Sequence, residues 1–168
     1  SGWRAVLGGE VISAGGDNSV DFTLVTGNGN ELLVGIARVG TSPSDRICHT
    51  SRGWFYWCNQ GSWFANSGSS SSWVSGTGQA ISKGQTIRLR LCQGSIKAYV
   101  DGTELGVMSS GLTGDFVWAA EVNSRDTSVR IAKASGADVG PVPAMKTATL
   151  ATSTSPESSS SSHRGVFF

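Results

Sequence analysis

Hydrophobic and polar positions alternate most cleanly over residues 81–107. Ile87, Leu89 and Leu91 fall on one face, with Arg88, Arg90 and Cys92 on the other. Ile96, Ala98 and Val100 alternate in the same way with Lys97 and Tyr99. Gln93-Gly94 separates the two runs and Asp101-Gly102 follows them, and glycine there accepts a positive φ without a Cβ clash. Period-two alternation bounded by such turns predicts antiparallel strands with one wet face. A third run, residues 104–108, turns back along the second, so the stretch reads as a meander.

The remaining chain adds strands to it. Residues 2–12 predict one strand or two, broken at Gly8-Gly9. Residues 20–25 alternate, with Val20, Phe22 and Leu24 on one side. After a turn cluster at 27–30, residues 31–39 form a near-continuous apolar run, which predicts a strand buried on both faces. These two strands are expected to pair as a second hairpin. Residues 40–52 are a long polar connection containing Pro43, the only proline before residue 141. Residues 53–64 hold Trp54, Phe55, Tyr56, Trp57, Trp63 and Phe64, split into two strands at Asn59-Gln60-Gly61. A serine-rich loop (67–72), the isolated pair Trp73-Val74, and strands at 116–122 and 127–132 complete the pattern. About ten short strands with regular turns and no amphipathic helix predict an all-β, two-sheet antiparallel sandwich over residues 1–132. Residues 133–168 are rich in Ala, Ser, Thr and Gly and carry Pro141, Pro143 and Pro156. Such a low-complexity tail or linker cannot bury enough apolar area to offset its ordering entropy, and it is expected to be disordered. Its apolar end, residues 165–168, is expected either to dock or to belong to whatever follows.

Composition narrows the function classes. Charged residues are 15% of the chain, against a usual share of about 25%. The 13 basic and 12 acidic residues are scattered, which argues against a nucleic-acid-binding face. No run approaches the ~18 apolar residues of a membrane span. Ser1 opens no signal peptide, and the chain reads as one domain of a larger protein. The three cysteines are an odd number and no Asn-x-Ser/Thr sequon occurs, which points to reduced thiols and a cytoplasmic location.

The meander then becomes recognisable. Residues 82–87 (SKGQTI), residues 93–107 (QGSIKAYVDGTELGV), Gly111 to Gly114 (GLTG) and residues 116–122 (FVWAAEV) closely resemble the SPRY (B30.2-like) family. Upstream, residues 33–37 (LVGIA) look like that family's VGVA strand, and residues 53–61 like its Trp/Tyr-containing strand. The likeness covers roughly residues 3–132. Departures are Arg90 and Cys92, where the family usually carries acidic residues, and Trp118 or Ala119, where it has a proline. The resemblance implies a concanavalin-like β-sandwich acting as a non-catalytic protein-interaction module, which holds peptides or protein surfaces by loops at one edge.

Catalytic chemistry has little to work with. His49 and His163 are the only histidines, and no Gly-x-Ser-x-Gly elbow is present. Glu104 and Glu121 are the only strand-end carboxylates, and both read as solvent-facing. Cys48, His49 and Cys58 lack the paired spacing of a zinc site, and no cofactor is implied. The aromatic cluster is the candidate surface. Trp54 and Tyr56 share one face and Phe55 and Trp57 the other, and one pair must be core. Exposed Trp and Tyr anchor many binding surfaces. Tyr56, Trp63, Phe64 and Trp73, with Arg46 and Arg52 from the long connection, are therefore the candidate ligand-binding residues. The alternatives are a carbohydrate-binding module that stacks sugars on these aromatics, and an architectural domain of a large assembly.

Overall fold

The structure, a computed structural model, describes residues 2–44, 46–65, 70–71 and 78–134. Trp73, and the low-complexity stretch from residue 135 onward, lie outside the described residues. The strands are β1 (Arg4–Ser13), β2 (Asp17–Thr26), β3 (Leu32–Arg38), β4 (Gly53–Trp57), β5 (Ser62–Ala65) and β6 (Ser70–Ser71), followed by β7 (Thr86–Cys92), β8 (Ser95–Val100), β9 (Thr103–Ser109), β10 (Asp115–Val122) and β11 (Ser128–Lys133). They form a six-stranded sheet, ordered β1-β10-β3-β4-β5-β6, and a five-stranded sheet, ordered β11-β2-β7-β8-β9. All pairings are antiparallel.

The meander is β7-β8-β9. Ile87, Leu89, Leu91, Ile96 and Ala98 are fully buried, and Leu89 sits opposite Ala98 in the ladder. Both two-residue turns have positive φ throughout, at Gln93 (48°) and Gly94 (73°) and at Asp101 (47°) and Gly102 (84°). Two consecutive positive φ angles are the hairpin geometry whose twist matches that of the flanking strands. The break expected at Gly8-Gly9 is a register shift within β1, between Leu7 and Val11.

One expectation is overturned. β2 and β3 do not form a hairpin. β2 lies between β11 and β7, whereas β3 lies between β10 and β4 in the other sheet. The 3-10 helix Gly29–Glu31 carries the chain across, capped by the Asn28 side chain, which accepts from the Asn30 N–H. The cause lies in the patterns themselves. β2 alternates and needs one wet face, while residues 32–37 are buried without interruption and need cover on both sides.

Between the sheets, Phe22, Leu24, Val34, Ile36, Ile87 and Leu89 are wholly buried. Burial of such side chains contributes about 1.5–3 kcal/mol each. The two outer faces differ. On the five-stranded sheet, Arg88 grips Asp21 through two bonds of 2.7 and 2.9 Å, Arg90 does the same to Asp17, and Lys97 meets Glu104 at 2.9 Å. Glu104 is thus solvent-facing, as expected. The outer face of the six-stranded sheet instead holds a second apolar cluster that includes Leu33, Ala37, Ile47, Cys48, Phe55 and Phe64.

Candidate functional site

The second cluster follows from alternation along β4. Trp54 and Tyr56 point into the inter-sheet core, so Phe55 and Trp57 point outward. Phe55 is fully buried beneath the segment 40–52, which the sequence presents as a plain polar connection. That segment contains the 3-10 helix Ile47–His49, whose Ile47 and Cys48 are both wholly buried. Trp57 stays partly exposed, with its ring 6.0 Å from Phe64, and the His49 ring also lies 6.0 Å from Phe64.

Two arginines shape the segment. Arg52 donates from Nε to Thr41 Oγ1 (3.0 Å) and from a terminal nitrogen to the Val39 carbonyl (2.9 Å), so it ties the two ends of the segment together. Arg46 is exposed, and its guanidinium carbon lies 4.9 Å from the centroid of the Trp3 ring. Such a cation–π contact is worth about 0.5–1 kcal/mol at an exposed site. Nearby, Arg38 stacks over Trp54 and Phe116 (5.5 and 4.9 Å), and it donates to the Thr113 carbonyl.

Beneath the 3-10 helix sits Glu121, which is 0% exposed. The reading of Glu121 as solvent-facing is therefore overturned. Its strand position does face outward, but the segment 40–52 covers that face. Glu121 Oε1 accepts the Cys48 backbone N–H at 2.9 Å, and no hydrogen-bond partner reaches Oε2.

The sequence-derived candidates divide. Arg46 and Phe64 come together around the outer cluster, with Trp3, Trp57 and His49 completing it. Arg52 braces the same segment from within. Tyr56 is corrected: it is wholly buried, its hydroxyl donates to the Gln79 carbonyl, and it accepts the Gln79 N–H at 3.1 Å. Its face is the inner one, so it offers a partner no surface. Trp63 is half-buried and packs against the inter-sheet core at its margin. Trp3 is the ring partner of Arg46 that sequence reasoning does not supply, and His49 and Trp57 flank Phe64. Trp3 had a legible signal, since Trp3, Ala5 and Leu7 alternate onto one face and all three pack on the outer cluster. A separate cleft of about 470 Å³, lined by Arg4, Asn123, Ser124, Arg125 and Thr127 among others, holds none of the expected residues. Among the described residues no group of three His, Cys, Asp or Glu is placed to hold a metal, and no helix is long and apolar enough to cross a membrane.

Burial sets the protonation of the site. It pushes the Cys48 thiol up from 9.0 to about 12, with the Glu121 charge and a hydrogen bond from the thiol adding to the shift. It pushes the Tyr56 phenol up from 10.0 to about 12, and raises Cys58 as well. Each folded group holds its proton more tightly than the unfolded one. Their contribution to stability is therefore complete below pH 9 and is lost as pH rises towards about 12. Denaturant midpoints measured across that range should fall steadily, and a flat profile would contradict the assignment.

No protein-family model matches the sequence, and no curated protein does either. Solved structures do. The SPRY domain of human HERC1 superposes with a TM-score of 0.65 at 18% identity, over 80% of this chain and 84% of that one. A human SPRY domain gives 0.65 at 13% identity, over 78% and 85%. The TRIM65 PSpry domain gives 0.59 at 10% identity, over 77% and 70%. At such identities the likeness establishes the fold: an SPRY-type β-sandwich, as the meander implied.

Proposed function

We propose that this SPRY-type sandwich is a non-catalytic module that binds a peptide or protein surface through the outer edge of its six-stranded sheet. The observation that carries the reading is the exposed Arg46, held over Trp3 on the segment that packs against the outer cluster, where Trp57 is partly exposed and Phe64 is buried behind it. An arginine with aromatic neighbours at a half-desolvated surface is the composition of an interface anchor. The outer face of the other sheet suits this role less, because its Arg88, Arg90 and Lys97 are matched to carboxylates within the domain. In this reading Arg46 and Trp57 meet the partner, Phe64 supports them from beneath, Arg52 keeps the segment in shape, and Trp63 and Trp73 stay candidates for further contact. The same reading makes the chain one domain of a larger cytoplasmic protein, where its three free thiols stay reduced. Nucleic acid and membrane are not its ligands.

Affinity capture with the isolated domain tests it. Arg46→Ala removes an exposed side chain and its contact with Trp3, and should change stability by no more than about 1 kcal/mol. It is expected to lose the partner that the unaltered domain retains, while Arg90→Ala on the opposite face keeps it. Retention of the same partner by Arg46→Ala, or its loss with both variants, would sink the site assignment.

A further inference from the structure

Glu121 has no place in a generic β-strand. A carboxylate removed from water is expensive unless hydrogen bonds or opposite charge compensate it. It projects from the outer face near the end of β10, between Ala5 and Leu33 in the neighbouring strands. There it is fully buried and has one backbone donor, the Cys48 N–H at 2.9 Å, contributed from 73 residues away. That N–H has no use inside its own 3-10 helix, whose backbone bonds run from His49 to Arg46 and from Thr50 to Ile47. The Cys48 thiol interacts with the same carboxylate and with the Arg46 guanidinium. Apolar contacts of Ile47 and Cys48 hold this helix to the sheet, and the bond to Glu121 is the polar contact that fixes its height and rotation.

We propose that Glu121 is the positioning residue of the segment 40–52, latching the Ile47–His49 helix onto the sheet so that Arg46 is presented over Trp3. This rests on the interaction surface proposed above for its functional consequence, but not for the latch itself. The carboxylate works against itself in a useful way. Closing the segment forms a charge-assisted bond, and it also strips the carboxylate of water, so the two terms oppose each other and the segment opens more readily than the core. The outer cluster is then a separately opening layer upon a stable sandwich.

The three cysteines supply the readout. Cys48 lies under the latch, Cys58 lies in the inter-sheet core, and Cys92 is partly exposed. Alkylation with iodoacetamide, followed site by site by mass spectrometry, should label Cys92 quickly and leave Cys48 and Cys58 protected in the unaltered domain. In Glu121→Ala, Cys48 labelling should accelerate by about tenfold or more while Cys58 stays protected, since one buried donor has lost its acceptor. Glu121→Gln keeps an acceptor oxygen and should hold Cys48 within about threefold of the unaltered rate. Unchanged protection of Cys48 in Glu121→Ala overturns the proposal. Joint exposure of Cys48 and Cys58 also overturns it, because Glu121 would then support the whole fold and not the segment. Equal release in the Gln and Ala variants would exclude the hydrogen-bond acceptor as the cause. Partner capture separates the two claims: it should fall in Glu121→Ala and return in Glu121→Gln. If Cys48 is released while capture persists, the latch stands and the proposed binding surface fails.

Discussion

Gly35→Ala should destabilise the domain by more than about 3 kcal/mol, at or beyond the upper end of ordinary overpacking costs. A Cβ at Gly35 would lie 1.9 Å from the Trp54 carbonyl oxygen and 2.8 Å from the Phe55 Cα. Both are backbone atoms of β4, so no rotamer change relieves the clash, and β3 and β4 would have to separate. Gly35 sits in the middle of the six-stranded sheet, paired with Phe55 on one side and Ala119 on the other. A shift there disturbs both neighbours. Since domains of this size are stable by roughly 5–15 kcal/mol, the variant should unfold at a much lower urea concentration or fail to accumulate. Gly9→Ala is the matched control, because nothing lies within 4 Å of a Cβ at that position. An unchanged urea midpoint for Gly35→Ala would mean that the two strands do not approach as described.

Tyr56 separates structure from recognition. Tyr56→Ala empties a fully buried aromatic site and should cost about 3–5 kcal/mol, the usual range for large-to-small aromatic changes in cores. Tyr56→Phe keeps the ring but removes the hydroxyl that Gln79 engages through both its carbonyl and its N–H. Leaving those two groups without their partner should cost about 1–3 kcal/mol. The loss is local in cause, since the hydroxyl ties β4 to the segment that enters the meander, where Ile81 N–H also bonds the Cys58 carbonyl. Partner capture by folded Tyr56→Phe should equal that of the unaltered domain. The opposite pattern, with full stability and lost capture, would return Tyr56 to the binding surface. The Phe variant should also lose part of the alkaline decline, because a phenol held at about 12 no longer contributes.

These two residues show where legibility ended. Strand positions were readable because alternation needs only neighbours in sequence, and β7, β8, β2 and β10 all lie where their patterns put them. The pairing of strands was less readable. Residues 20–25 and 31–39 sit on either side of a turn, and such runs usually pair, yet a 3-10 helix sends them into different sheets. Alternation along β4 divides its aromatics into two faces, but both faces turn out to be covered, one by the opposite sheet and one by the segment 40–52. That is why Tyr56 could be placed with Trp54 and still be mistaken for a surface residue. Arg46 was picked out as a loop cation, while its ring partner Trp3 lies 43 positions earlier, too far for any local pattern to join them.

The amino-acid order alone therefore determined the β character, the meander with its glycine turns, the alternating inner face, and the SPRY-like signature. All of these depend on short-range periodicity and on backbone geometry that a few residues enforce. Only the tertiary structure decided which face of the six-stranded sheet receives a second layer, and with it the burial of Glu121 and Phe55. Covering an outward strand face requires a segment from elsewhere in the chain. Whether an acidic residue there meets water or a backbone N–H depends on that distant segment, and not on the residue's own neighbours.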